Sequence, residues 1–198
     1  MSHSYEDDPG VRWMLAYQGG DEAAFDRIVE VYSGQLYALF TRFLGPAPER
    51  EDLVQEVFLR VIRARERYRP TARYSTWLYR IAFNIAVNRT QRGTDEASLY
   101  DGTDEGGEAV WSEIGDAREE PPSVALERGD AVSAVRAAIA SLPEAQRMAL
   151  VLAKYDELPY SEIAVVLRSS EKAVKSLVHR ARENLRARLA PFLQQELP

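Results

Sequence analysis

The chain has 198 residues, 45% hydrophobic and 28% charged, with a formal net charge of −6; these values suit one folded domain or two small ones and exclude a disordered chain. Cysteine is absent and histidine occurs only at His3 and His179, so thiol chemistry is excluded and a histidine metal site or proton relay has little to work with. No apolar run nears the roughly 18 residues of a membrane span, and the opening MSHSYEDDPG lacks a secretory pattern, which makes a cytoplasmic protein the expectation.

Almost every periodic segment has helical spacing, with no strand alternation between hairpin signals. The reading is all-α. Asp21 can cap a helix carrying Phe25, Ile28, Val29 and Tyr32, continued at similar spacing by Leu36, Tyr37, Phe40, Phe43 and Leu44. Gly45-Pro46-Ala47-Pro48 ends that run. A helix from about Glu49 to Arg67 places Leu53, Val57 and Val61 on one line, with Val54, Phe58 and Ile62 beside it. Its other face shows Asp52, Gln55, Glu56, Arg60 and Arg63, a small acidic and amide patch suited to a basic partner helix or to plain solvation.

YRPTARYST, residues 68 to 76, contains Pro70 and predicts a loop, with Ser75 or Thr76 capping the helix that follows to about Arg92. That helix has two faces. Trp77, Leu78, Ile81, Ala82 and Ile85 make a wide apolar stripe, and Arg80, Asn84, Asn88 and Arg92 recur at spacing four on another side. Asn and Arg suit base edges and phosphates, and the neighbouring loop holds Tyr68 and Tyr74, residues able to stack on an unpaired base. Trp77 reads as core.

Charge is segregated along the chain. Residues 58–92 hold nine Arg against Glu66, a local balance of +8; residues 93–127 hold eleven acids against Arg118, a balance of −10; residues 171–189 hold six basic residues against two acids, or +4. The stretch from Gly93 to Pro122 is rich in Gly and acid without sustained periodicity and predicts a flexible linker. Four more helices follow, at about Val124 to Ala140, Pro143 to Lys154, Tyr160 to Leu167 and Glu171 to Leu189.

The last two of these resemble a helix-turn-helix whose second helix enters the DNA major groove. Ile163, Ala164 and Leu167 are expected to pack on Val174 and Val178, leaving Ser170, Lys172, Lys175, Ser176, His179 and Arg180 toward DNA. A basic but merely solvated hairpin is the plainer alternative. Arg168 stands where such turns commonly have Gly, and a left-handed non-Gly residue costs roughly 1–2 kcal/mol. Leu177 replaces a commonly basic position.

GGDEAAFDRIVEVYSGQLYALFTRFLG, EDLVQEVFLRVI and YSTWLYRIAFNIAVNR together resemble region 2 of the bacterial group 4 (extracytoplasmic function, ECF) sigma factors of the sigma-70 family; SLPEAQRMALVLAKYDELPYSEIAVVLRSSEKAVKSLVHRARENLRARL resembles region 4. The resemblance implies two small helical domains joined by an acidic flexible linker: region 2 over residues 11–92, the linker over 93–122 and region 4 over 123–192. It implies a transcription initiation factor, not an enzyme, that binds core RNA polymerase through the β′ clamp helices and the β flap, reads the minus-thirty-five element and melts the minus-ten element. Carried over by residue, Asp52, Gln55, Glu56 and Arg60 dock on the clamp helices. Arg73, Tyr74, Ser75 and Thr76 capture a flipped base, and Arg80, Asn84, Asn88 and Arg89 line the melted strand. Ser170, Lys172, Lys175, Ser176, His179 and Arg180 read the upstream duplex. The resemblance also implies an anti-sigma factor as controlling partner; the linker's balance of −10 suits either an RNA mimic in the polymerase's nucleic-acid channel, through which the family's linker runs, or a plain solvated tether. No metal or cofactor is implied. A two-domain helix-turn-helix regulator independent of polymerase, and a protein that sequesters a polymerase subunit or regulator, are the competing classes.

Overall fold

A computed structural model describes residues 5–45, 49–97 and 122–195, with backbone only at residues 6, 91–97, 122–130 and 192–195. Eight α-helices are described: α1 (Pro9–Gln18), α2 (Glu22–Leu44), α3 (Arg50–Ala64), α4 (Tyr74–Ala97), α5 (Pro122–Ala140), α6 (Glu144–Lys154), α7 (Tyr160–Val166) and α8 (Glu171–Gln195). No strand occurs among the described residues.

Helix α1 is the element that apolar spacing left unread. Asp8 caps it by accepting from the Val11 amide at 2.9 Å, and Pro9 occupies the first turn, where no amide donor is needed. Gln18 then ties its end to the turn before the 68–73 loop, donating to the carbonyls of Arg65 (2.8 Å) and Glu66 (3.1 Å). Gly10 is required by close approach: a Cβ there would sit 2.7 Å from the Tyr74 Cβ. A glycine at this point lets α1 lie directly against the start of α4.

Helix α2 runs unbroken through both apolar runs and stops at Gly45, whose φ of +79° takes the chain out of the helix. Ile28, Leu36, Leu39, Phe40 and Phe43 from α2 meet Val57 and Val61 from α3 and Leu78 and Ala82 from α4, all fully buried. This is the N-terminal core. In the C-terminal half Met148, Leu152, Ile163, Val166, Val174 and Val178 are buried, and Leu142, Leu150 and Ala181 form a smaller adjoining cluster. The expected packing of Ile163 and Ala164 with Val174 and Val178 is present, with Leu167 partly buried beside them.

The two halves are not separate bodies in this structure. α7 lies against α4, while α5 and α6 lie against α2, and one buried apolar cluster contains residues from both halves. The expected linker falls largely on residues 98–121, outside the described residues; α4 runs five residues beyond the expected helix end at Arg92, to Ala97.

Candidate nucleic-acid interface

The expected 68–76 loop is shorter than its proline suggested. α4 starts at Tyr74, with the Trp77 amide donating to the Arg73 carbonyl at 3.1 Å, so Tyr74, Ser75 and Thr76 are its first turn and neither Ser75 nor Thr76 is the cap. Tyr74 is fully buried. Its ring meets those of Tyr32, Tyr68 and Trp77 at centroid distances of 5.0, 6.2 and 5.5 Å. Tyr68 is 3% exposed and packs edge-on against Trp77 at 4.9 Å. Both tyrosines are therefore core in this structure, not surface rings ready to stack on a base. α1 closes over Tyr74 at Gly10, and Tyr68 packs beneath the same helix start against Tyr74 and Trp77.

Burial also governs their chemistry. Tyr32 is pushed up to about 12 by burial and by the nearby Asp8 carboxylate, and Tyr68 and Tyr74 are pushed higher still, chiefly by burial. All three stay neutral. The Tyr68 and Tyr74 hydroxyls have no hydrogen-bond partner among the described residues.

What α4 offers to solvent at this end is Arg73, whose side chain is 60% exposed, and half-buried Ser75. Farther along the helix Asn84 and Asn88 are exposed, while Arg80 and Arg89 are half-buried. Arg92 lies where side chains are not described. Arg89 is ion-paired with Glu49 at the start of α3. An open groove of about 550 Å³ between α3 and α4 is lined by Asp52, Glu56, Arg60, Asn88 and Arg89 among others. The structure thus makes the expected polymerase face and the far end of the expected strand edge neighbours.

On α3, Asp52 and Gln55 are exposed, and Glu56 holds Arg60 at 2.9 Å across one turn. Ile62, placed on the core side by spacing, is 42% exposed, as is Leu59 at 46%. The apolar stripe is one residue narrower than the spacing predicts; Gln55, Leu59 and Ile62, four and three residues apart, share the outward face instead.

The C-terminal reading helix stands clear. Lys172, Lys175, Ser176, His179 and Arg180 are all exposed on α8. Ser170 caps the helix, its hydroxyl accepting from the Ala173 amide at 3.2 Å, and the Ser176 hydroxyl donates back to the Lys172 carbonyl at 3.2 Å. His179 pairs with Glu183 at 3.3 Å. Lys172, Lys175 and Arg180 have no ion-pair partner among the described residues, which leaves three cations for phosphate or base contacts. Arg168 has a φ of +49°. The usual left-handed turn is therefore kept without its glycine, closed by the Ser169 amide donating to the Ala164 carbonyl at 2.9 Å.

Sequence reasoning missed the residues that join the two halves. Glu162 on α7 accepts from the Thr76 hydroxyl at 2.6 Å and pairs with Arg73 at 3.2 Å. Asp156, before α7, accepts from the Tyr79 hydroxyl at 3.0 Å. Burial raises the Asp156 carboxyl above its ordinary range despite opposition from Tyr79 and Arg42, and burial with Asp156 alongside raises Tyr79. Arg147 of α6 donates to the Phe43 carbonyl at the end of α2 (2.8 Å) and to the Leu142 carbonyl (2.9 Å). Its guanidinium lies 5.0 Å from the Phe43 ring centre, and burial lowers its pKa. Long-range partners of this kind leave no periodic signal.

Comparison with known proteins agrees with both halves. The Sigma-70 region 2 family model matches residues 28–95 and the Sigma-70 region 4 model matches residues 133–185. The chain is 35% identical over 183 residues to the RNA polymerase sigma-H factor of Pseudomonas aeruginosa, covering 90% of this chain and 92% of that protein. It is 34% identical over 175 residues to the ECF RNA polymerase sigma factor SigW of Bacillus subtilis, covering 86% and 91%, and 33% identical over 184 residues to the ECF RNA polymerase sigma-E factor of Escherichia coli K12, covering 90% and 93%. The fold matches that of CnrH, solved with the cytosolic domain of CnrY, at a TM-score of 0.65 and 21% identity over 96% of this chain and 100% of that one. It also matches RpoE of Bartonella quintana, solved with the anti-sigma factor NepR, at 0.64 and 19% identity over 84% and 96%.

Two helical domains, the second ending in an exposed basic helix-turn-helix, define a DNA-binding transcription protein. The chain belongs to the sigma-70 family and, within it, is an RNA polymerase sigma factor of the ECF group.

Proposed function

We propose that the chain docks on core RNA polymerase through the outward face of α3, reads a minus-thirty-five duplex with α8 and holds one strand of the minus-ten element open along α4. The observation that carries the reading is the exposed basic face of α8, with Lys172, Lys175 and Arg180 unpaired among the described residues. Asp52, Gln55, Glu56 and Arg60 form the polymerase face, to which exposed Leu59 and Ile62 add apolar area. Arg73, Ser75, Arg80, Asn84, Asn88 and Arg89 form the strand edge; Tyr74 and Thr76 support it from beneath. Strand opening needs no catalytic group, because a cationic surface that binds the unpaired strand offsets the cost of unstacking. On this reading the chain works beside the polymerase, in the cytoplasm. Among the described residues no helix is long and apolar enough to cross a membrane. An anti-sigma factor is the natural controller, in keeping with the NepR complex of the Bartonella relative. The acidic segment outside the described residues serves either as an RNA mimic in a basic nucleic-acid channel of the polymerase or as a plain tether.

Reconstitution with bacterial core polymerase tests the reading. Wild-type chain gives promoter-specific initiation on genomic fragments, and Asp52→Lys loses core binding while its thermal unfolding stays unchanged. A wild-type chain that fails to associate with core overturns the proposal. Neutralising the linker acids changes abortive synthesis; no change there removes the channel role alone.

A further inference from the structure

The α4 edge assigned to the unpaired strand does not lie wholly on one side of its helix. Arg80, Asn84 and Asn88 recur at spacing four, but Arg89 stands nine residues beyond Arg80, about half a turn away at roughly 100° per residue. It falls instead four residues beyond Ile85, on the line that carries that buried side chain. The contacts agree with the spacing. Arg89 reaches across to Glu49 at the start of α3, and the pair lines the open α3–α4 groove together with Asp52, Glu56, Arg60 and Asn88.

Charge along that groove alternates between used and unused. Glu49, Asp52 and Glu56 follow one another on α3 at spacings of three and four. Arg89 takes Glu49 and Arg60 takes Glu56, whereas Asp52 between them is exposed and has no ion-pair partner among the described residues. Leu53 and Ile85 add an apolar lining. A groove with one unpaired carboxylate between two neutralised ones suits one basic side chain, its aliphatic stem on the apolar lining and its charge on Asp52. Arg89, neutralised from the α3 side, adds no free cation for phosphate. Nor does the pair exist for stability: Arg89 keeps 38% of its side chain exposed and Glu49 45%, and ion pairs so well solvated contribute little.

We propose that Arg89 belongs to the polymerase face: with Glu49 it walls the groove in which Asp52 receives a basic side chain from a polymerase helix, and it makes no contact with the unpaired strand. The inference rests on the reading of α3 as the polymerase face and moves one residue of the α4 edge to that face. Docking then depends on how α3 packs on α4 and not on the residues of α3 alone. A partner helix engages Asp52 where α4 holds Glu49 aside.

Charge reversal in the full chain tests the assignment, with affinity for bacterial core polymerase and the rate of promoter opening at saturating core as separate readouts. Asp52→Lys is the control for the polymerase reading itself. Glu49→Arg sets two cations against each other at the groove wall and lowers core affinity about tenfold; adding Arg89→Glu restores it to within about threefold, the non-additivity of a contacting pair. The reversed pair opens promoters at the wild-type rate. Arg80→Glu, on the other side of α4, does the opposite: it slows opening about tenfold with core affinity unchanged.

A reversed pair that binds core as weakly as Glu49→Arg alone overturns the proposal. So does one that regains core but opens as slowly as Arg80→Glu, which puts Arg89 on the strand. Where a reversal lowers the thermal unfolding midpoint, the neutral variants decide: Glu49→Gln with Arg89→Gln loses no more core affinity than Glu49→Gln alone, and additive losses overturn the pairing. Asp52→Lys that keeps core affinity removes the polymerase reading of α3 itself. Loss of core by Asp52→Lys without rescue in the reversed pair keeps that reading and removes only the place given to Arg89.

Discussion

The two regions proposed to face DNA are built on opposite plans. On α8 the expected contacts stand on an isolated helical face, with the apolar stripe turned into the helix-turn-helix and the cations turned out. At the start of α4 the expected contacts share one helical turn with a buried aromatic cluster, so the side chains proposed to read are interleaved with those that pack. The comparison shows that a face can be inferred from spacing when one helix alone defines it. Where a proposed reading edge is set by what neighbouring helices bury beneath it, spacing misplaces individual residues.

The strongest way to break this comparison is to attack the aromatic floor. Tyr74→Ala removes a fully buried ring and costs about 3–5 kcal/mol, read as a large drop in the unfolding midpoint. Tyr74→Phe separates floor from reader. The hydroxyl has no partner among the described residues, so its loss leaves stability unchanged or raises it by up to about 1 kcal/mol, with promoter opening by holoenzyme intact. A loss of opening with stability preserved would return Tyr74 to the reading face.

The next largest effect belongs to α8. Lys175→Ala with Arg180→Ala weakens upstream duplex binding by about 1–3 kcal/mol and lowers the salt slope by about two, with core affinity unchanged in a pull-down. Equal loss of both would misplace the reading helix. A smaller gain comes from the turn: Arg168→Gly relieves a left-handed residue at φ +49° and stabilises by about 0.5–1 kcal/mol after the unfolded-state entropy of glycine is set against it, measured by denaturant midpoint.

The smallest effect is a pH dependence at the junction. Asp156, facing Tyr79, Tyr155, Arg42 and Arg73, has a carboxyl raised by burial above its ordinary range. The folded chain therefore binds that proton more tightly than the unfolded one. The penalty for holding it ionised is present at neutral pH and is relieved as pH falls through the raised value toward the ordinary carboxylate range. Mild acidification therefore stabilises the folded chain at this residue, and Asp156→Asn flattens that part of the stability profile in parallel unfolding curves at a series of pH values.

Much of this was legible in the sequence. The helix-turn-helix, the ends of α2 and α6, and the acidic and amide face of α3 followed from period, proline and charge, because each is a property of one helix or one turn. Helix α1 was not legible: Asp8-Pro9 is a good start signal, but its buried side, Val11, Met14 and Tyr17, is short and includes a glycine. The exposure of Ile62 depended on what α3 finds beside it, since the hydrophobic line alone is the same whether or not a neighbour covers it.

By itself the sequence determined the family, the all-helical architecture, and the separation of charge into two basic blocks around an acidic one, because these depend on residue type at short spacing. Only the tertiary structure decided that Tyr68 and Tyr74 lie under the α4 edge, that Arg89 answers to Glu49, and that Glu162 sits on Thr76 and Arg73. Those partners are 40 or more residues apart in most cases. Their meeting is set by how helices from both halves share one apolar cluster, a many-body outcome that no local pattern encodes.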